Sequence, residues 1–173
     1  TLSLGYFQQL ADRHEHVPSS GCPVVRRPSG GGAILHDREL TYSLVVPADH
    51  PLGCNTQHLY NLLHTSLIAA LADFRIQACL CAERENAPFL CFRRRAVGDV
   101  LLLDAQISTS RPAAKICGSA QRRCHGAVLQ HGSVLLAGSK AAPELSGIRE
   151  LVGQVISPRQ MAESWEEKLK ILH

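Results

Sequence analysis

Leu2, Leu4 and Tyr6 alternate with Ser3 and Gly5 at the start of the chain, a period of two that predicts a strand. The polar run Gln8 to Ser20 then predicts a surface connection. Val24 to Arg27 is a second short extended segment, turned by Ser29 to Gly32 and resumed by Ala33 to Leu35. Thr41 to Val46, β-branched and aromatic, predicts a further strand closed by Pro47. The period then changes. Leu59, Leu62, Leu63, Leu67, Ala70, Leu71 and Phe74 recur at helical spacing, with Asn55 or Thr56 as the N-cap. Arg75 to Ala82 returns to extended chain, followed by a loop ended by Pro88. Val100 to Leu103 predicts a strand and Asp104 to Pro112 a polar connection. Ile116 to Gln121 and Ala127 to Leu136 predict a strand pair across an Arg-Arg-Cys-His-Gly turn. The closing segment is a capped amphipathic helix with Met161, Trp165, Leu169 and Leu172 on one stripe. Strands interrupted by single helices predict an α+β domain with a mixed or largely antiparallel sheet.

Length and composition narrow the classes. At 173 residues the chain holds one domain with its own core, and the opening strand suggests that earlier elements are missing. A hydrophobic share of 45% against 19% charged residues excludes a disordered chain. The net charge of +3 is too mild to point to nucleic acid. No apolar run reaches the ~20 residues of a membrane span, and the first residues show no secretory pattern. Seven cysteines without a CxxC pair argue against a zinc or thioredoxin-like site and for reduced thiols in the cytoplasm, with no metal.

Three stretches carry candidate chemistry. In Val24–Asp37 the three glycines, Gly30 to Gly32, let backbone approach a ligand and turn N–H groups toward one anion. Arg26 and Arg27 point to opposite sides of a strand, so one of them can face that anion. The spacing matches neither a P-loop nor a dinucleotide fingerprint. A flexible hairpin with solvated arginines fits the same residues. His36 either lines the cleft or is satisfied within the fold. The second stretch places Lys115 among Ala113, Ala114 and Ile116, with Cys117 on the same strand face and small Gly118, Ser119 and Ala120 beyond. Such a lysine holds an anionic intermediate, has a lowered pKa, or ends a strand in water. The third sets Cys91 before Arg93, Arg94 and Arg95, a positive setting that favours the thiolate and acyl capture as a thioester. An inert thiol beside a solvated arginine run is the alternative.

In order, "RRPSGGGAILHD", "LTYSLV", "KICGSAQRR" and "GAVLQHGSVLL" resemble the lipoate–protein ligase and octanoyltransferase family from Thr1 to about Leu136. The resemblance implies the biotin/lipoate ligase catalytic fold, class II synthetase-like, with helices on one side of a mixed sheet. It implies transfer of an octanoyl or lipoyl group to the lysine of a lipoyl-carrier domain, such as the H protein or a dehydrogenase E2. Arg27, Ser29 and Gly30 to Gly32 match the acyl-binding wall, and His36 the histidine after it. Lys115 matches the lysine that grips the acyl carbonyl or phosphate region. Gly118, Ser119, Ala120, His131 and Gly132 match positions of the same pocket. Cys91 in "CF" resembles the cysteine-dependent branch, which takes the acyl group from an acyl-carrier protein as a thioester without ATP. Lys115 and backbone N–H groups near Gly118 to Ala120 would then hold the oxyanion, with His36 or His131 as base. One alternative is an ATP- and Mg-dependent ligase acting through lipoyl-adenylate. Another is a non-catalytic protein that binds carrier domains through Arg93 to Arg95.

Overall fold

A computed structural model describes residues 1–85, 89–102 and 114–170. The loop end at Pro88, the connection from Asp104 to Pro112, Ala113 and Leu172 lie outside the described residues.

The first three extended segments form a small sheet of their own. β1 (Leu2–Leu4) lies between β2 (Val24–Arg26), which runs parallel to it, and β3 (Ile34–Leu35), which runs antiparallel. The parallel pairing is possible because the long connection between β1 and β2, coiled into two 3-10 turns, carries the chain back to the starting edge. As the central strand, β1 buries both faces, and Ser3 is only 2% exposed. Its alternating pattern therefore marks a strand without marking a solvent side.

β4 (Glu39–Pro47), β5 (Ala78–Leu80), β6 (Val100–Leu102), β7 (Ala114–Cys124) and β8 (Ala127–Leu135) form a second sheet, ordered β4-β8-β7-β6-β5 and antiparallel throughout. Among the strands of the described residues parallel pairing is thus confined to β1 and β2, with one isolated parallel bridge, Ala33 to Leu90, beside them. The expected five-residue turn between the long strands contracts to two residues. His125 and Gly126 adopt φ of 48° and 72°, the twist a tight hairpin needs, and the ladder extends to Cys124 opposite Ala127.

α1 (Pro51–Cys54) leads into α2 (Thr56–Asp73), capped by the Asn55 side chain, which accepts from the His58 N–H at 2.9 Å. Leu59, Leu63, Leu67, Ala70 and Leu71 form its buried stripe. The short α3 (Ile148–Val152) precedes α4 (Pro158–Lys170). Ser157 and Gln160 close a reciprocal capping box at the start of α4. Met161 and Trp165 pack with α2 against Val100, Ile116, Val128 and Val134 of the large sheet. Trp165 satisfies its ring nitrogen by donating to Ser66 Oγ at 2.8 Å. A second cluster, Leu2, Leu4, Ala33, Leu35, Phe89, Leu90 and Ala142, ties the segment before Cys91 to the small sheet. Among the described residues no helix is long and apolar enough to cross a membrane.

Candidate active site

Where the small sheet meets β7 and β8 the chain leaves a groove of about 490 Å³. Arg27, Gly30, Gly31, His36, Cys91, Gly118, Ser119, Ala120, His131 and Gly132 all line it. Three other expected residues stand behind the lining. Ser29 is buried with its hydroxyl 2.5 Å from His131 Nε2. Gly32 and Lys115 support the Cys91 segment. No group of three or more His, Cys, Asp or Glu side chains among the described residues could hold a metal ion.

The glycine wall is shaped by Arg27. Its guanidinium is buried and donates to the Ser3 carbonyl (3.0 Å), Ser3 Oγ (3.2 Å), the Gly30 carbonyl (2.8 Å) and the Gly32 carbonyl (2.6 Å). Arginine's planar fork suits this work, since it reaches several carbonyls at once. Burial pulls its pKa down from the ordinary value, and an ionised Cys91 sulfur pulls it back up. Arg26 leaves the strand on the opposite side from Arg27, reaches the outer edge of the groove and donates to the Gly5, Tyr6 and Gln8 carbonyls. At Gly32 a side chain has no room: a Cβ would lie 2.7 Å from the Phe89 carbonyl oxygen and 3.0 Å from the Cys91 nitrogen. The glycine run therefore serves close passage of the Cys91 segment, whose N–H donates to the Ala33 carbonyl at 2.8 Å.

Cys91 is half-buried, and Lys115 Nζ lies 4.0 Å from its sulfur. The ammonium is fully engaged. It pairs with Asp99 Oδ2 at 2.8 Å and donates to the carbonyls of Arg94 (3.1 Å) and Cys91 (3.3 Å). Both ion-pair partners are buried, with side chains 4% and 2% exposed. Asp99 in turn accepts from the Tyr60 hydroxyl (2.8 Å) and the Ala96 N–H (2.6 Å). Burial first, then the Asp99 charge, holds the Tyr60 phenol protonated. Cys117, which the strand pattern puts on the same face as Lys115, belongs instead to the core, beside a register shift between β6 and β7. Burial pushes its thiol pKa far up, so it stays neutral.

Hydroxyl and imidazole groups complete the walls. Ser119 Oγ meets the Tyr42 hydroxyl and His64 Nε2, the latter at 2.6 Å, while the Ser119 N–H donates to the Tyr60 oxygen at 3.3 Å. That N–H is therefore turned away from the groove, contrary to its expected use as an oxyanion donor. His36 bridges Glu39, through Nδ1, and Ser3 Oγ, through Nε2 at 2.8 Å. Burial, then Arg27 and His36, lowers the His131 pKa and keeps its imidazole neutral near pH 7.

Sequence reasoning missed Asp99, Glu39, Ser3, Tyr60 and His64. Only Asp99 left a signal, as an acidic residue directly before an apolar strand.

Residues 1–168 match the family model of the lipoyl protein ligase A/B catalytic domain. Octanoyltransferase LipM of Brevibacillus brevis is 34% identical over 148 residues, covering 79% of this chain and 50% of that protein. Octanoyltransferase LipM of Moorella thermoacetica is 32% identical over 175 residues, covering 96% of this chain and 60% of that protein. The chain thus spans about half the length of the curated relatives it matches. A solved bi-partite lipoate protein ligase from Thermoplasma acidophilum superposes with a TM-score of 0.65 at 17% identity, over 98% of this chain and 67% of that one. That likeness bears on the fold alone.

Proposed function

The chain belongs to the lipoyl protein ligase A/B catalytic domain family, and from that premise we propose that it moves an octanoyl or lipoyl group from an acyl-carrier protein to the lysine of a lipoyl-carrier domain. The acyl group rests on Cys91 between the two. The observation that carries this reading is the placement of the Cys91 thiol on the glycine-walled groove, with the Lys115 ammonium 4.0 Å from its sulfur.

In the first half-reaction the Cys91 thiolate attacks the carbonyl carbon of the donor thioester. A new C–S bond forms and the carbonyl electrons move to oxygen. Collapse of this tetrahedral intermediate expels the donor thiolate, which takes up a proton, and leaves acyl-Cys91. In the second, the acceptor amine attacks the same carbon and gives a proton to a groove histidine. Collapse expels the Cys91 thiolate and leaves an amide. The bond energy already stored in the thioester drives both steps, so the transfer requires no ATP.

The surroundings supply fixed positive charge for each oxyanion. Lys115 exchanges its hydrogen bond to the Cys91 carbonyl for the developing oxyanion, while Asp99 keeps the ammonium in place. His131, held neutral by its burial and by Arg27, takes the amine proton. Arg27 acts by holding the groove's shape.

Intact-protein mass spectrometry after mixing with octanoyl-carrier protein tests this. An octanoyl adduct on wild type that disappears in Cys91→Ala is expected. Lipoate-dependent pyrophosphate exchange with ATP and Mg that survives Cys91→Ser would replace the thioester with an adenylating ligase.

A further inference from the structure

We propose that the rim of the groove, built from Phe7, Tyr6, Val25, Arg26 and Arg122, is the docking surface for the acyl-donor carrier domain, which it recognises through an acidic face with an apolar centre. This rests on the transfer reading above, because that reading requires a folded carrier to deliver its acyl arm to Cys91.

Three observations carry it. The first is exposed aromatic surface at a functional opening. Phe7 is 81% exposed and Tyr6 52%, packed edge to face with ring centroids 5.1 Å apart, and Val25, itself lining the groove, is 51% exposed. The Phe7 ring lies against Gly30 of the glycine wall, at 3.7 Å from where a Cβ would stand. Water-facing aromatic rings at such a position mark an interaction site.

The second is rigidity. The loop that presents the rings is pinned on every side. The Tyr6 N–H donates to the Ser29 carbonyl at 2.9 Å, the Gly5 N–H to Gln8 Oε1 at 3.0 Å, and Arg26 clamps the Gly5, Tyr6 and Gln8 carbonyls. A loose loop would bury such rings against itself. Here they are held outward, so little order remains to be lost on binding.

The third is charge. Arg26 and Arg122 are exposed on either side of the rings, with the Arg122 guanidinium 5.7 Å from the Tyr6 centroid and anchored to the Pro28 carbonyl at 2.8 Å. Among the described residues no carboxylate lines the groove. The face therefore complements an acidic partner and repels a basic one.

Steady-state transfer from octanoyl-carrier protein and from octanoyl-coenzyme A, measured side by side, separates docking from chemistry. Arg122→Glu should raise KM for the carrier-bound donor by about tenfold or more, and Phe7→Ala by several-fold, with KM for the small donor unchanged within about twofold. Raised salt should weaken the carrier reaction of wild type more than that of Arg122→Glu. Unchanged KM for the carrier, or equal loss with both donors, overturns the assignment. If wild type acquires octanoyl from neither donor, the transfer reading has failed. NMR titration with unloaded carrier protein then decides the surface by itself. Shifts centred on Phe7 and Arg122 that vanish in Arg122→Glu support docking, and shifts elsewhere or none overturn it.

Discussion

The two walls of the groove solve one problem by different means. On the β7 side the positive charge of Lys115 is balanced by a buried carboxylate, and the Asp99–Lys115 pair, to which the half-buried Tyr60 donates, is sealed from water. On the glycine side Arg27 has, among the described residues, no carboxylate partner in its hydrogen-bond set and is held by carbonyl dipoles and one hydroxyl. A charge neutralised by an ion is costly to unbalance. A charge solvated by carbonyls is costly chiefly in shape, because each carbonyl loses a donor when it goes. The first wall should therefore respond to substitution mainly in stability, and the second mainly in the geometry offered to Cys91.

The largest effect expected is from Lys115→Met, which leaves the buried Asp99 carboxyl without its counter-ion. Breaking such a pair from one side costs about 3–5 kcal/mol. At this chain length that lowers Tm by roughly 10 °C. The double variant Lys115→Met with Asp99→Asn should regain most of the lost Tm in calorimetry and still fail to transfer the acyl group. Equal Tm for the single and double variants would show that the pair is not balanced as described.

Arg27→Lys comes next. An ammonium cannot span the Ser3, Gly30 and Gly32 carbonyls together, so at least one is left unpaired, at about 1–3 kcal/mol. Urea midpoints measure that cost. The sharper readout is a rate of Cys91 octanoylation that falls by more than the stability loss explains, because the glycine wall has lost its frame. A rate unchanged in folded protein would make Arg27 a purely structural residue.

Gly32→Ala tests the same wall from the opposite side. Its new methyl meets the Phe89 carbonyl and the Cys91 nitrogen, both backbone atoms that cannot swing away. Overpacking of this kind costs about 1–3 kcal/mol. The displaced atoms belong to the Cys91 segment itself, so slower alkylation of Cys91 by iodoacetamide should accompany a modest drop in Tm.

These walls were unequally legible in the sequence. The glycine run, Lys115 and Cys91 stood out because residue types and motif order mark them locally, and α2 because its period is long and regular. The partners did not stand out. Asp99 meets Lys115 through the β6–β7 pairing, and Glu39 meets His36 across a turn whose conformation no periodicity encodes. Ser3 sits on a strand whose alternation marks extended chain alone, and only a neighbour on each side makes that strand central and buries the hydroxyl. Arg27 and Lys115 both read as cations awaiting an anion. Their saturation by carbonyls depends on backbone brought from up to 24 residues away, which spacing alone cannot show.

The smallest expected effect separates the walls by pH. His64, behind β7, and His131, in the groove, both have pKa values lowered chiefly by burial. An unfolded histidine titrates near 6.5, so on acidification the unfolded chain binds protons before the folded one does. Stability is therefore level above about pH 6.5 and falls as pH drops from there toward the lowered folded values. The carboxylates of Asp73, Glu150 and Glu167, whose pKa values are lowered, act only below the ordinary carboxylate range, so urea midpoints between pH 7.5 and 5.5 isolate the imidazoles. His64→Gln keeps a donor for the Gly98 carbonyl and an acceptor for Ser119 while removing the proton site, and should flatten much of the slope. His131→Gln should flatten less, because its ring is only half-buried and water already shares the cost of its charge. A slope untouched by His64→Gln would mean that the sealed wall stores no pH-dependent energy and that acid sensitivity enters through the groove.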